Sequence, residues 1–242
     1  VKDCSRRTVA VVDSRMPAPC KTALEARGFE IVSLPPFSSL PSPVASHPDM
    51  LLFIARGIIL THRDYYRVAR DIINRIAEVG ELEPLLCDKP VSPVYPGDIL
   101  LNAALIGDNL FARKNSISHH ILQISESNNI NIINIKQGYA RCSIAPVGDN
   151  AIITSDRKIS LAARAAGIDS LLVRPGHVVL EGYDTGFIGG ATGFFDDTLY
   201  FCGSLDTHPD ARQIRNFCRL HTITATELYD GPLFDAGSVF FI

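Results

Sequence analysis

Apolar and polar positions along the chain fall into a recurring order: a short apolar run, a tight turn, a β-branched run, an amphipathic stretch and a third apolar run. The stretch from Gly138 to Gly176 gives it most clearly. Arg141 to Val147 is apolar with small residues, and Gly148-Asp149-Asn150 supplies residue types that tolerate positive φ in a hairpin turn. Ala151 to Thr154 predicts a second strand. Ser155 and Asp156 can cap a helix whose apolar face is Ile159, Ala162, Ala163 and Ala166, with Gly167 ending it. Ser170 to Val173 predicts the third strand.

The same order recurs over residues 47–90, 95–136 and 183–228. The turns there are Arg56-Gly57, Gly107-Asp108-Asn109 and Asp196-Asp197, and helices are predicted near Asp64–Val79, Ser116–Ser125 and Pro209–Leu220. His47, Tyr95, Tyr139, Tyr183 and Tyr229 head the first strands at intervals of 48, 44, 44 and 46, the near-constant period of a repeat architecture. The fifth copy is split. Phe234 to Ile242 is a first strand with nothing after it, and residues 8–36 supply a second strand (Thr8 to Asp13), a helix and a third strand (Glu30 to Leu34). Residues 231–242 joined to 8–36 restore the unit, and pairing the chain ends removes exposed strand edges. The expected fold is therefore α/β: one domain over residues 1–242, a five-fold pseudosymmetric propeller of ββαβ repeats. The plainer alternative is an open α/β sheet with βαβ crossovers. Leu34 to Pro48, with five prolines and four serines, stands outside the repeat as a loop, either a lid or binding edge or a surface connector.

Composition narrows the function classes. Hydrophobic content of 46% and charged content of 20% are ordinary for a globule, and the net charge of −3 gives no general attraction to nucleic acid or anionic membrane. No apolar run approaches the roughly 18 residues that span a bilayer. The start VKDCSRR lacks the apolar core of a signal peptide. Six scattered cysteines (Cys4, Cys20, Cys87, Cys142, Cys202, Cys218) without a C-x-x-C pair predict free thiols in a reducing, cytoplasmic setting, with no metal site and no cofactor. Gly186 to Gly193 lacks the Lys-Ser/Thr of a phosphate loop, and a strand follows it rather than a helix, so a Gly-rich inner strand is the reading. The His-Pro-Asp tripeptides at 47–49 and 208–210 match that of J-domain co-chaperones but not its setting between two helices.

Candidate chemistry gathers on the first strands. Small residues such as Asn102-Ala103-Ala104, Gly189-Gly190-Ala191 and Ala236-Gly237-Ser238 suit strands that converge. Asp49, Asp98, Asp184 and Asp235 lie near the same ends and would form an acidic funnel for a cation, with Arg141, Cys142 and Tyr183 nearby. The alternative is four strand-entry carboxylates facing solvent. Arg141 beside Cys142 could lower the thiol pKa.

Five ββαβ units, with Pro48-Asp49 opening a first strand, resemble the pentein fold of the guanidine-modifying superfamily. That superfamily includes arginine deiminases, dimethylarginine hydrolases, agmatine deiminases, amidinotransferases and a non-catalytic ribosome-associated initiation factor. The chain looks like a bacterial branch without the standard catalytic Cys. The resemblance implies that Asp49 contacts substrate, and that a Cys nucleophile, a His and an acidic pair should follow. Here the Cys position falls at Ala236, or at Phe241 if the register slips, the His position at Tyr183 and the acidic pair at about Ile54-Ala55. Cys142 and His177 are the remaining catalytic candidates. The expectation is a catalytically degenerate binder of a cationic guanidino or amino-acid-like ligand. Two alternatives stay open: a protein-interaction module without a small ligand, and a guanidino-group hydrolase or amidinotransferase with relocated residues.

Overall fold

The computed structural model describes residues 8–242; Cys4 and the rest of the VKDCSRR start lie outside them. Among the described residues the elements run in chain order as β1 (Val9–Asp13), α1 (Ala18–Glu25) and β2 (Glu30–Leu34). Next come α2 (Pro48–Leu51), β3 (Leu52–Ala55), β4 (Ile58–His62), α3 (Arg63–Gly80) and β5 (Glu83–Cys87). The 95–136 unit forms β6 (Ala104–Ile106), β7 (Asn109–Ala112), α4 (His119–Ser127) and β8 (Asn131–Asn134). The 138–176 unit forms α5 (Ala140–Ser143), β9 (Ala145–Pro146), β10 (Ala151–Thr154), α6 (Arg157–Ala165) and β11 (Asp169–Leu172). The chain ends with β12 (Thr192–Phe195), β13 (Thr198–Phe201), α7 (Ala211–Leu220), β14 (Thr224–Glu227) and β15 (Phe240–Phe241).

Among the described residues the strands form five separate three-stranded sheets. In each, the second strand is central, antiparallel to the first and parallel to the third. The parallel step requires a crossover, and the helix of each unit supplies it. The expected pairing of the chain ends is present: β15 runs antiparallel to β1 with Ala10 opposite Phe241 and Val11 opposite Phe240. Helix faces cover the sheets, as where α3 buries Tyr65, Ala69, Ile73, Ile76 and Ala77. Each large side chain so buried contributes about 1.5–3 kcal/mol.

Local signals explain the best-read unit. Asp156 caps α6 by accepting from the amides of Lys158 (2.7 Å) and Ile159 (3.1 Å). Gly167 follows α6 at φ +78°, where a side chain would be strained. The first strands depart from expectation. Arg141 to Val147 is a helical turn (α5) followed by two residues of strand, Asp49 sits in the short helix α2, and β15 covers only two residues of Phe234–Ile242. The reason is where their backbone hydrogen bonds go. Asp49 N donates to Gly237 O (3.0 Å), Gly190 N to Cys142 O (2.8 Å), and Ala236 N to Gly190 O (3.0 Å). Asn102 closes the remaining gap, donating to Asp49 O (3.1 Å) and accepting from Arg141 N (2.7 Å). These bonds link each first segment to one in another unit, and a regular ladder is forgone.

Leu34 to Pro48 is fixed rather than loose. Phe37, Leu40, Val44 and Ala45 are buried, Arg15 donates to the carbonyls of Ser42 and Pro43 at 2.7 Å each, and Tyr65 Oη donates to Pro35 O at 3.0 Å. Its last residues reach the site described next. Among the described residues, no helix is long and apolar enough to cross a membrane.

Candidate ligand site

Where α2, α5 and the segments before β12 and β15 approach one another, they leave a cavity of about 150 Å³. Its walls are largely aromatic and apolar, with Tyr139, Tyr183, Phe187 and Met50, and its polar groups include His47, Cys142 and Asp235. Tyr139 and Phe187 stand 6.0 Å apart between ring centroids. Backbones come this close because glycines sit at the contacts. A Cβ on Gly190 would meet Asp235 Oδ1, and Gly237, at φ +65°, lies against the His47 side chain.

Asp235 is 1% exposed and held by two backbone amides, Phe187 N to Oδ2 (2.8 Å) and Gly237 N to Oδ1 (3.0 Å). Burial pushes its carboxyl up to about 6, against the pull of His47 and those amides. His47 is equally buried, 3.6 Å from Asp13 and 4.0 Å from Asp235, and neither ring nitrogen has a hydrogen-bond partner among the described residues. Desolvation lowers its pKa despite both carboxylates, so the ring is neutral near pH 7. Asp13 in turn holds Arg15 at 2.7 Å.

Asp49 lies behind Cys142. Its Oδ2 accepts from Ser238 Oγ (3.0 Å) while Oδ1 has no hydrogen-bond partner among the described residues, and burial raises its pKa. Asp98 accepts from Tyr139 Oη at 2.6 Å, which fixes that ring in the wall, and among the described residues its Oδ1 is also unpartnered. Asn102 Nδ2 donates to Cys142 Sγ at 3.1 Å.

Of the residues expected at one funnel, Cys142, Tyr183 and Asp235 line this cavity, and Asp49 and Asp98 are buried in the layer supporting it. Asp184 is exposed; with His177 it lines a neighbouring depression of about 270 Å³ that shares Tyr183. Arg141 departs from its neighbour Cys142 and lines a different basin. The expected activation of Cys142 is therefore absent. Burial, then the charges of Asp49 and Asp235, raise this thiol well above 9, and it is protonated at neutral pH. Ala236, which the resemblance to the pentein hydrolases sets at the nucleophile position, is fully buried. His47 was not singled out for chemistry, nor were Asp13 and Phe187. A signal for His47 was present: it is the one strand head in the five that is not tyrosine.

The fold has known counterparts. Over 92% of this chain and 91% of the other, it superposes on DDAH from Pseudomonas aeruginosa, a cysteine-to-serine mutant complexed with citrulline, at a TM-score of 0.58 and 10% identity. Agmatine deiminase from C. jejuni gives a TM-score of 0.57 at 7% identity over 92% and 88% of the two chains. SxtG, an amidinotransferase from Microseira wollei, gives 0.54 at 12% identity over 88% and 76%. The chain thus has the pentein fold of the guanidine-modifying enzymes. Among curated proteins no match is found. Residues 11–240 match the model described as "Family of unknown function (DUF6873)", and the chain belongs to that family.

Proposed function

We propose that the protein is a catalytically degenerate pentein that binds a small organic cation, a guanidino or amino-acid-like compound, with its cationic head beside Asp235. One observation carries this reading: a small cavity combines a buried carboxylate with the rings of Tyr139, Tyr183 and Phe187. Among the described residues no Lys or Arg lines it. A cation gains both from the carboxylate and from aromatic faces, by about 0.5–2 kcal/mol per ring when desolvated. The volume is about that of five waters in the liquid, enough for a guanidinium head but not a large ligand. The neutral His47 ring would accept a hydrogen bond from the ligand without repelling it.

The reading includes the architecture: residues 8–242 as one five-bladed propeller, closed by β15 on β1, with the ligand near its axis. The succession of hydrogen bonds through Gly237, Asp49, Asn102, Arg141-Cys142, Gly190 and Ala236 supports it. Guanidine hydrolysis by thiol attack is not part of the reading, because the nucleophile position is Ala236 and the Cys142 thiol is protonated. The test is a melting-temperature titration with agmatine, arginine and methylated arginines, with product release assayed in parallel. A saturable rise without turnover is expected. No rise with any of these cations, at concentrations up to tens of millimolar, would refute the proposal.

A further inference from the structure

The basin that takes Arg141 is built differently from the cation cavity. It has a volume of about 260 Å³, and all five first strands line it, with Ile54 from β3, Leu105 from β6, Pro146 from β9, Phe194 from β12 and Phe240 from β15. Among the described residues two charged side chains line it. Asp149 is exposed in the turn after β9, and Arg141 is half-buried. Arg141 Nη1 donates to Ile144 O at 3.0 Å, and its guanidinium carbon lies 5.6 Å from the centroid of the Phe240 ring.

Elsewhere in the molecule several arginines pair with carboxylates, as Arg15 does with Asp13 and Arg174 with Asp210, while half-buried Arg113 rests on the Tyr95 ring and hydroxyl. Arg141 has no ion pair among the described residues. Asp49 acts on it only from beyond contact distance. A half-buried guanidinium with one of its five N–H groups on a backbone carbonyl and no counter-ion has lost hydration without full replacement. A carboxylate is the group whose two oxygens fit the remaining fork. The surrounding walls are apolar and aromatic, so they suit the body of the same molecule. Asp149 at the mouth disfavours ligands with several negative charges, phosphates among them.

We propose that this basin is a second ligand site, for a small monocarboxylate with an apolar body, its carboxylate on Arg141 and its body against Phe240, Phe194 and Ile54. The proposal stands apart from the cation site, with which the basin shares no lining residue.

Calorimetric titration of the full chain with octanoate tests it, with octylamine and 1-octanol as ligands of the same body and different charge. Octanoate should bind saturably, one per chain, and more tightly than either control. Arg141→Gln should weaken octanoate by about 10- to 100-fold and leave octanol unchanged, as expected for loss of a charge-assisted hydrogen bond. Ile54→Glu, which sets a like charge in the wall and leaves the Arg141 side chain in place, should weaken octanoate as well, by repulsion or by occupying the guanidinium. If Arg141→Gln fails to fold, the Ile54→Glu variant and the comparison of octanoate with octylamine still decide. Absence of saturable binding at millimolar octanoate, equal affinity for octylamine, or affinity indifferent to the foldable variants would overturn the proposal.

Discussion

Replacing Asp235 by Asn should change stability with a sign that depends on pH. In the folded protein burial lifts this carboxyl from an ordinary 3.8 to about 6. A raised carboxyl binds its proton more tightly folded than unfolded, so its contribution is intact below about 4 and is lost as pH rises towards 6. At about 1.4 kcal/mol per pH unit, the loss by pH 7 is about 3 kcal/mol. Asn escapes that loss. It accepts from only one of the two amides that now reach the carboxylate, from Phe187 and Gly237, which leaves one buried donor unsatisfied at about 1–3 kcal/mol. Asp235→Asn should therefore melt below the native protein at pH 4.5 and at or above it at pH 7.5. In a chain of this size about 3 kcal/mol corresponds to roughly 6–12 °C. Thermal denaturation followed by circular dichroism from pH 4 to 8 measures the difference between the two proteins. Curves that stay parallel across that range would show that Asp235 titrates as a surface carboxylate, and the reasoning would fail.

Cation affinity should fall about tenfold per pH unit below about 6, because the ligand needs Asp235 ionised, and should level off above it; calorimetry across pH measures this. Tyr183→Ala should weaken cation binding about 3- to 30-fold with little change in melting temperature, since this ring lines the cavity yet is 48% exposed; a large stability loss would mean a structural role instead. Cys142 should resist alkylation by iodoacetamide in the native protein at pH 7.5, its thiol being buried and protonated; mass spectrometry showing rapid modification there would restore the case for thiol chemistry.

Much of the fold was legible because its signals are local. Asp156 caps α6, Gly167 follows it in a left-handed conformation, and Arg56-Gly57 and Asp196-Asp197 fall at the turns between first and second strands. Periodicity failed where hydrogen bonds leave the unit. The amides of Asp49, Gly190 and Ala236 are spent on other repeats, so α2, α5 and the brief β15 do not read as strands. The same divide runs through the site. Comparing repeats drew attention to Asp49, Asp98 and Asp235, which are buried together, but could not distinguish Asp184, which faces solvent. Nor could adjacency in sequence reveal that Arg141 and Cys142 line different cavities. His47 was legible only as a departure from a row of tyrosines, and Asp13 only as the end of a strand; what brings them to Asp235 is packing between the split unit and its neighbour.

A crystal structure of the protein soaked with agmatine examines cation binding at its source. The account predicts a guanidinium within hydrogen-bond distance of the Asp235 carboxylate, among the Tyr139, Tyr183 and Phe187 rings, with the compound intact and Cys142 unmodified. A cavity holding only water at saturating agmatine, or a covalent adduct on Cys142, would contradict it.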